Sequence, residues 1–469
     1  MTRLPSKTLL AVSLAAALFH SSVYAAGFAL IEQSGSGAGN AYAGAAAVAE
    51  DAASGWFNPA NLAELPKGMH ISAAGHLIAP KAKFTNKGSW VNPALTGGNF
   101  DKAKEAMLGK NDDGGHAKVI PHAFFSKTFN DHFSAGVGMN VPFGLGTKYD
   151  EDWIGRYLAL QSDITTININ PAVAYKLNDK FTIGAGVNVQ YMEVVLKSSI
   201  DSSATCLSIA SAANNGDILA QCLARLPKLA NAATDSKATI TGDDVSYGYN
   251  LGMIYKPTPK TKIGISHRSK IDHDLEGDVD YDINAALQPV ITAVGTTRFN
   301  DGNVTAAANL PATTSLSVAH QLNDKVEVLG DVTRTGWSSF ERLTVKRDDA
   351  TKTLVTDVNQ DWKDSNRYAL GVNYQKNDNL KLRAGVALDK TPIKSAQLRT
   401  ARTPDNDRTW VAVGATYKLA KGMSVDVGYA HLFTDETPID NTSSDNGYAL
   451  RGLYDSSVDI VSAQFNWSF

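Results

Sequence analysis

The chain has 469 residues, 43% hydrophobic and 19% charged, a composition that excludes a disordered polypeptide. A net charge of −3 with no Lys/Arg-rich block excludes an electrostatic nucleic-acid binder. Length alone suits two or three domains, although one barrel can absorb the whole chain.

The first residues address the compartment. Arg3 and Lys7 precede the apolar run LLAVSLAAALF, and Val23-Tyr24-Ala25 is a small-residue cleavage site. Residues 1–25 therefore read as a secretory signal, with a mature start at Ala26-Gly27-Phe28. No later stretch is apolar for the roughly 18 residues that a spanning helix needs. Next comes SGSGAGNAYAGAAAVAEDAASGWFNPANL, Ser34 to Leu62, almost all small residues. Gly35, Gly37 and Gly39 approach a dinucleotide-binding loop, but Asn40 stands where the next glycine belongs and no strand precedes it.

From about residue 68 the chain alternates apolar and polar residues. Phe181, Ile183, Ala185, Val187, Val189 and Tyr191 oppose Thr182, Gly184, Gly186, Asn188 and Gln190. Such period-2 segments, about 14 in all, read as strands with one apolar face. They lie near 69–79, 117–129, 132–141, 165–177, 181–196, 245–256, 260–275, 312–322, 325–337, 366–376, 379–390, 409–419, 422–433 and 458–469. Short turns such as Asn130-Asp131, Asn178-Asp179, Asn323-Asp324 and Asn377-Asp378 alternate with long loops. Short turns at one rim and long loops at the other are the pattern of an outer-membrane barrel. A soluble sandwich alternates too, but lacks that loop asymmetry and the aromatic final strand ending at Phe469.

Two loops carry helical spacing. In 197–244 it falls on Ile218, Leu219, Cys222, Leu223 and Leu226. In 276–311 it falls on Ile283, Ala286, Leu287, Val290, Ile291 and Val294, with a kink expected at Pro289. Such amphipathic helices either pack on the rim and on each other or line an apolar groove open to water, and the two readings are compatible. Cys206 and Cys222 read as a local disulfide in an exported chain.

No ordered catalytic or nucleotide motif is present, so no enzyme activity and no cofactor are expected. His267 and His273 lie an even number apart and should share a strand face, without a third ligand, so no metal is expected. Lys176, Lys381, Arg383, Asp389 and Asp426 should face the lumen, either as a hydrated interior or as partners for a ligand carboxylate.

The run AGFALIEQSGSGAGNAYAGAAAVAEDAASGWFNPANL resembles the N-terminus of the outer-membrane long-chain fatty acid transporters and their aromatic-hydrocarbon-uptake relatives. HRSKIDHDLEGDVDYD, WSSF, WKDSNRYALGVNY, LRAGVALDKTPI, TPDNDRTW and SVDVGYAHLF extend the likeness along the chain. The resemblance implies an all-β membrane protein, a 14-stranded antiparallel barrel (69–469) with an N-terminal plug (26–68) inside it. It implies capture in a groove of the third and fourth loops, here carried by Ile218, Leu219, Leu223, Leu226, Leu287, Val290, Ile291 and Val294. Substrate would pass to an inner pocket reached by Ala26, Gly27 and Phe28. It would leave sideways through a kink in the third strand, at Val141-Pro142-Phe143-Gly144-Leu145-Gly146. The plug's gate motif would be Asn58-Pro59-Ala60. Independently, Pro142 lacks a donor and Gly144 and Gly146 weaken a ladder, so the strand either breaks or ends there.

The likeness departs at the basic residues expected to meet a carboxylate. Glu193 and Thr344 stand where two of them would align, with Arg342 and Lys346 close by. Arg342, Lys346 and Arg383 are the candidate carboxylate partners. The expected function is passive uptake of long-chain fatty acids, or alternatively of neutral hydrocarbons, by a monomer among outer-membrane lipid and lipopolysaccharide. A general porin and a barrel lipid hydrolase are the rivals; a plug argues against the first, and the missing motifs against the second.

Overall fold

The computed structural model describes residues 27–469; the expected signal segment and Ala26 lie outside them. The strands are β1 (Gly68–Asn86), β2 (Lys118–Thr128), β3 (Phe133–Asn140), β4 (Gly144–Lys148), β5 (Gln161–Lys176), β6 (Phe181–Ile200) and β7 (Ser236–Thr258). They continue as β8 (Thr261–Arg268), β9 (Ile271–Asp282), β10 (Gly302–Leu310), β11 (Thr313–Asn323), β12 (Val326–Thr335) and β13 (Arg342–Arg347). The last are β14 (Leu354–Asn359), β15 (Ser365–Gln375), β16 (Leu380–Asp389), β17 (Arg408–Ala420), β18 (Met423–Thr434), β19 (Thr437–Thr442) and β20 (Ala449–Ser468).

Several of these are halves of one interrupted stave: β3/β4, β8/β9, β10/β11, β12/β13, β14/β15 and β18/β19. Counted so, the sheet is a closed antiparallel barrel of 14 staves. It closes where β1 pairs with β20, from His70↔Ser468 to Asn86↔Gly452. Large apolar side chains such as Val187, Leu251, Leu370 and Val413 stand exposed on the outward face, as lipid contact requires. No helix among the described residues is long and apolar enough to cross a membrane.

The short turns have a local cause. Asn130, Asn178, Asn323 and Asn377 each accept, through Oδ1, two backbone N–H groups just ahead of them in the chain. Such Asx turns reverse the chain tightly. At the other rim the strands run past their expected ends; β1 reaches Asn86 and β20 begins at Ala449.

One expectation is corrected. His267 and His273 do not share a face. The stave is interrupted at Ser269-Lys270, so outward positions change from odd (Ile265, His267) to even (Asp272, Asp274). His267 bonds Thr314, whereas His273 is buried against Asp244 and Gln190. The loop helices also differ. The third long loop carries α1 (Ser202–Ala213) and α2 (Gly216–Arg225), joined by a Cys206–Cys222 disulfide. The fourth carries α3 (Gln288–Val294) alone; Pro289 starts it rather than kinking it, since a first-turn N–H has no intrahelical partner to lose.

Residues 27–65 lie inside the barrel and bond inward-facing groups around it. Gly35 N donates to Gln464 Oε1 (2.8 Å), Ala46 N to Ser317 Oγ (3.1 Å) and Asn40 Nδ2 to Asn373 Oδ1 (3.2 Å). Glu50 makes ion pairs with both Lys381 and Arg383. The small residues of this stretch meet small residues on the wall. A Cβ on Gly414 would stand 2.6 Å from the Gly39 Cα, and one on Gly385 would meet the Asn40 backbone. Backbone packs on backbone here, leaving no room for side chains.

Candidate functional site

The upper lumen is apolar. Ile164, Met192, Val194, Leu196, Leu275 and Leu310, from adjoining staves, bury their side chains into one cluster. At its base sits an aromatic chamber. Trp337 and Phe340 lie where the β12/β13 stave breaks into a helical turn, and Trp362 in the break between β14 and β15. Phe28 is held among them, with ring centroids 4.7 Å from Trp337, 5.4 Å from Phe340 and 5.8 Å from Trp362. Gly27 packs against both indoles, and its N–H donates to Asp405 (3.1 Å).

Phe28 also touches Phe143 across 6.1 Å, which brings the chamber to the third stave. That stave is broken between Asn140 and Gly144 and resumes as β4, so Pro142 marks an interruption and not an end. The inner segment pairs with the exposed backbone. Leu30 N donates to Pro142 O (2.8 Å) and Gly144 N to Phe28 O (2.9 Å), around a bridge between Ala29 and Phe143. Gln33 Nε2 donates to Val141 O (2.8 Å). On the wall side, β3 pairs with β2 only up to Met139↔Ala123, and β4 pairs with β5 alone among the described strands. The ladder between staves two and three is thus open above Ala123.

Beside the break is a cavity of about 140 Å³. Leu30, Pro142, Phe143, Arg268, Arg367 and Asp389 contribute to its lining. Arg268 stacks 3.4 Å over the Trp56 ring and donates to Trp56 O (2.9 Å) and Asn188 Oδ1. Arg367 is buried, donates from NH2 to Ala41 O (2.6 Å), and leaves Nε and NH1 without a hydrogen bond.

Of Asn58, Pro59 and Ala60, Pro59 lines the same cavity as Pro142 and Phe143. Asn58 is fully buried and wedged against the facing staves, with Nδ2 donating to Ala46 O (2.7 Å) and Met253 O (3.1 Å). Pro59 and Ala60 pack on Gly184. Residues 28–33 make the backbone hydrogen bonds to the interrupted stave, and Leu62, in the helical turn begun by Pro59, packs on its lower half at Gly136. The expected groove residues divide. Ile218, Leu226, Leu287, Val290 and Ile291 bury into one cluster between the loops, while Leu219, Leu223 and Val294 remain exposed.

The three candidate carboxylate partners are not brought together. Arg383 lies buried against Glu50 and Asp426. Arg342 is exposed and paired with Asp357, which also accepts from Thr344 (2.8 Å), and Lys346 is exposed on the same strand. Glu193 faces outward. Sequence reasoning assigned no role to Trp337, Trp362 or Arg367, although WSSF and WKDSNRY carried them. The stave breaks turn the two tryptophans inward, whereas Arg367 faces inward by the alternation of β15.

The whole chain from residue 16 to 469 matches the family described as outer membrane protein transport protein (OMPP1/FadL/TodX). It is 30% identical to outer membrane protein P1 of Haemophilus influenzae over 87% of this chain and 86% of that one. It is 26% identical to the long-chain fatty acid transport protein of Escherichia coli over 98% of both chains. Among solved structures it superposes on a Pseudomonas aeruginosa FadL homologue with a TM-score of 0.81, at 24% identity, covering 95% of this chain and all of that one. It superposes on the Ralstonia pickettii toluene transporter TbuX with a TM-score of 0.62, at 19% identity, covering 95% and 99%. An outer-membrane barrel of 14 staves with this match over nearly its full length belongs to the OMPP1/FadL/TodX family of outer membrane transport proteins.

Proposed function

We propose that the protein carries hydrophobic compounds, long-chain fatty acids foremost, passively across the outer membrane. In this reading residues 1–25 are the export signal, 26–68 the plug and 69–469 the barrel, acting as a monomer. Substrate lands near α1–α3, descends the apolar upper lumen, displaces Phe28 from the aromatic chamber and leaves sideways where staves two and three are unpaired. The observation that carries the reading is the continuity of the apolar cluster from Leu196 down to Phe28 and Phe143, at the break itself. A porin lumen is polar and water-filled; this one binds by apolar burial, roughly 0.8 kcal/mol for each buried CH₂. Family membership fits a transporter rather than an enzyme.

Arg367, with two guanidinium nitrogens lacking a hydrogen bond beside the cavity, favours an acidic head group. A second reading, neutral hydrocarbons, draws on the uncharged aromatic chamber and on the toluene transporter among the structural relatives. Mass spectrometry of ligand carried through purification separates the two. Uptake of labelled fatty acid should fall when Gly144 and Pro142 are replaced by Val. Unchanged uptake by an assembled barrel would remove the lateral exit. Deleting 207–230 should weaken capture of dilute substrate, and unaltered uptake kinetics would remove the landing role of the loops.

A further inference from the structure

Glu32 has no role in the transport path described so far. It is 1% exposed, and neither carboxylate oxygen has a hydrogen-bond partner. Its neighbours Leu30 and Gln33 hold the interrupted third stave. The charged groups that act on it are Arg408 of β17, Arg367 of β15 and Asp389 of β16. From the plug it faces Tyr42, and from β2 the His122 ring meets its backbone. Arg367 Nε and NH1 and Arg408 NH1 are likewise unpartnered and buried. Arg408 NH2 is taken by Asp405, the acceptor for the Gly27 N–H. Two guanidinium groups thus stand among three carboxylates, those of Glu32, Asp389 and Asp405. A ligand carboxylate entering beside them would be a fourth anion facing two cations, unless one carboxylate takes a proton. Like charges in a water-poor site do not all stay ionised.

We propose that Glu32 is a proton-exchanging counter-ion for Arg367 and Arg408, mutually exclusive with the carboxylate of a bound fatty acid. This rests on the fatty acid reading above. As the anionic ligand docks, Glu32 accepts one proton from water and becomes neutral, and the two arginines then face the ligand. On departure the same proton passes from the Glu32 carboxyl to the ligand carboxylate. The ligand enters the lipid as a neutral acid, and Glu32, ionised again, returns to the arginines. No charge enters the hydrocarbon layer and no other reactant is needed. Burial pushes Glu32 up to about 7, so the exchange falls near neutral pH.

The test uses the full protein in detergent with laurate and with 1-dodecanol, which lacks the charge. Well above pH 7, where free Glu32 is ionised, calorimetry in two buffers of different ionisation enthalpy should record uptake of close to one proton per laurate and none per dodecanol. Laurate affinity should fall about tenfold for each pH unit above 7, as linkage to one proton requires, while dodecanol affinity stays flat. Glu32→Gln, neutral at every pH, should abolish the proton uptake and flatten the laurate profile. Laurate binding without proton uptake, or an unchanged pH profile in Glu32→Gln, would overturn the proposal. Failure of both ligands to bind would instead sink the transport reading, and the proposal with it.

Discussion

Asn58 offers a direct measure of how firmly the plug is held. Its side chain donates to Ala46 O (2.7 Å) and Met253 O (3.1 Å) and accepts from Ala60 N (3.0 Å); a further 3.4 Å approach to Ile265 O shares the same two protons. Asn58→Ala removes two donors and one acceptor from a fully buried site. At about 1 kcal/mol for each net hydrogen bond the loss is ~3 kcal/mol. That corresponds to about a 150-fold rise in the population of plugs detached at this point. The ladder of β1 to β20 does not pass through Asn58, so the barrel should assemble and keep its heat-modifiable mobility on gels. In planar bilayers the variant should show frequent ion-conducting bursts where the parent is nearly silent. A folded Asn58→Ala barrel as quiet as the parent would refute the idea that this side chain holds the plug.

Other perturbations address neighbouring parts. Phe28→Ala empties a ring from the aromatic chamber, at a local loss of about 3–5 kcal/mol; apolar dyes should then bind there more tightly, read by quenching of Trp337 and Trp362 fluorescence. Gly414→Val would drive a side chain into the Gly39 backbone; the barrel should assemble with its plug displaced, detected as protease cleavage between residues 35 and 60. Arg156 is fully buried and donates to Asp235 Oδ2 (2.7 Å), Leu108 O (2.8 Å), Trp153 O (3.0 Å), Tyr157 OH (2.7 Å) and Ala230 O (2.6 Å). Arg156→Met leaves Asp235 buried and unpaired, a loss of about 3–5 kcal/mol, and hydrogen exchange should accelerate in the first three long loops while the lower barrel stays protected.

Strand positions were legible because outward and inward residues meet different solvents, and period-2 alternation records that difference residue by residue. Turns were legible because Asn supplies their hydrogen bonds itself. The rim was not, because there the polarity inverts: Ala82, Phe84 and Tyr454 pack inward as an apolar cluster while Lys81, Lys83 and Asp455 face water. The face of His273 was hidden for another reason: a one-residue shift of register against β7 at the Ser269-Lys270 break reverses the parity, and nothing in the alternation marks it. The site was legible where backbone chemistry announces itself, as at Pro142. It was illegible where long-range closure decides. Arg367, Glu32 and Arg408 lie far apart in sequence, and only the barrel brings their unpartnered atoms together. Arg383 looked available from its face alone; that Glu50 occupies it depends on how the plug folds.

The pairing of β1 with β20 joins residues at opposite ends of the chain, from His70↔Ser468 upward. The inner segment runs directly into β1 at Gly68 and bonds β20 through Gly35 and Gln464. A loop-by-loop order of assembly would therefore leave both the seam and the plug to the end. Contacts of such sequence separation form slowly, because the loops they close are long. The wall that receives the plug does not exist until the last stave arrives, and once it has arrived the glycine-lined fit leaves little room to thread the segment in. Closing the seam and enclosing the plug are then one kinetic event, and an assembly factor that guides the final strand also determines whether the channel is born shut.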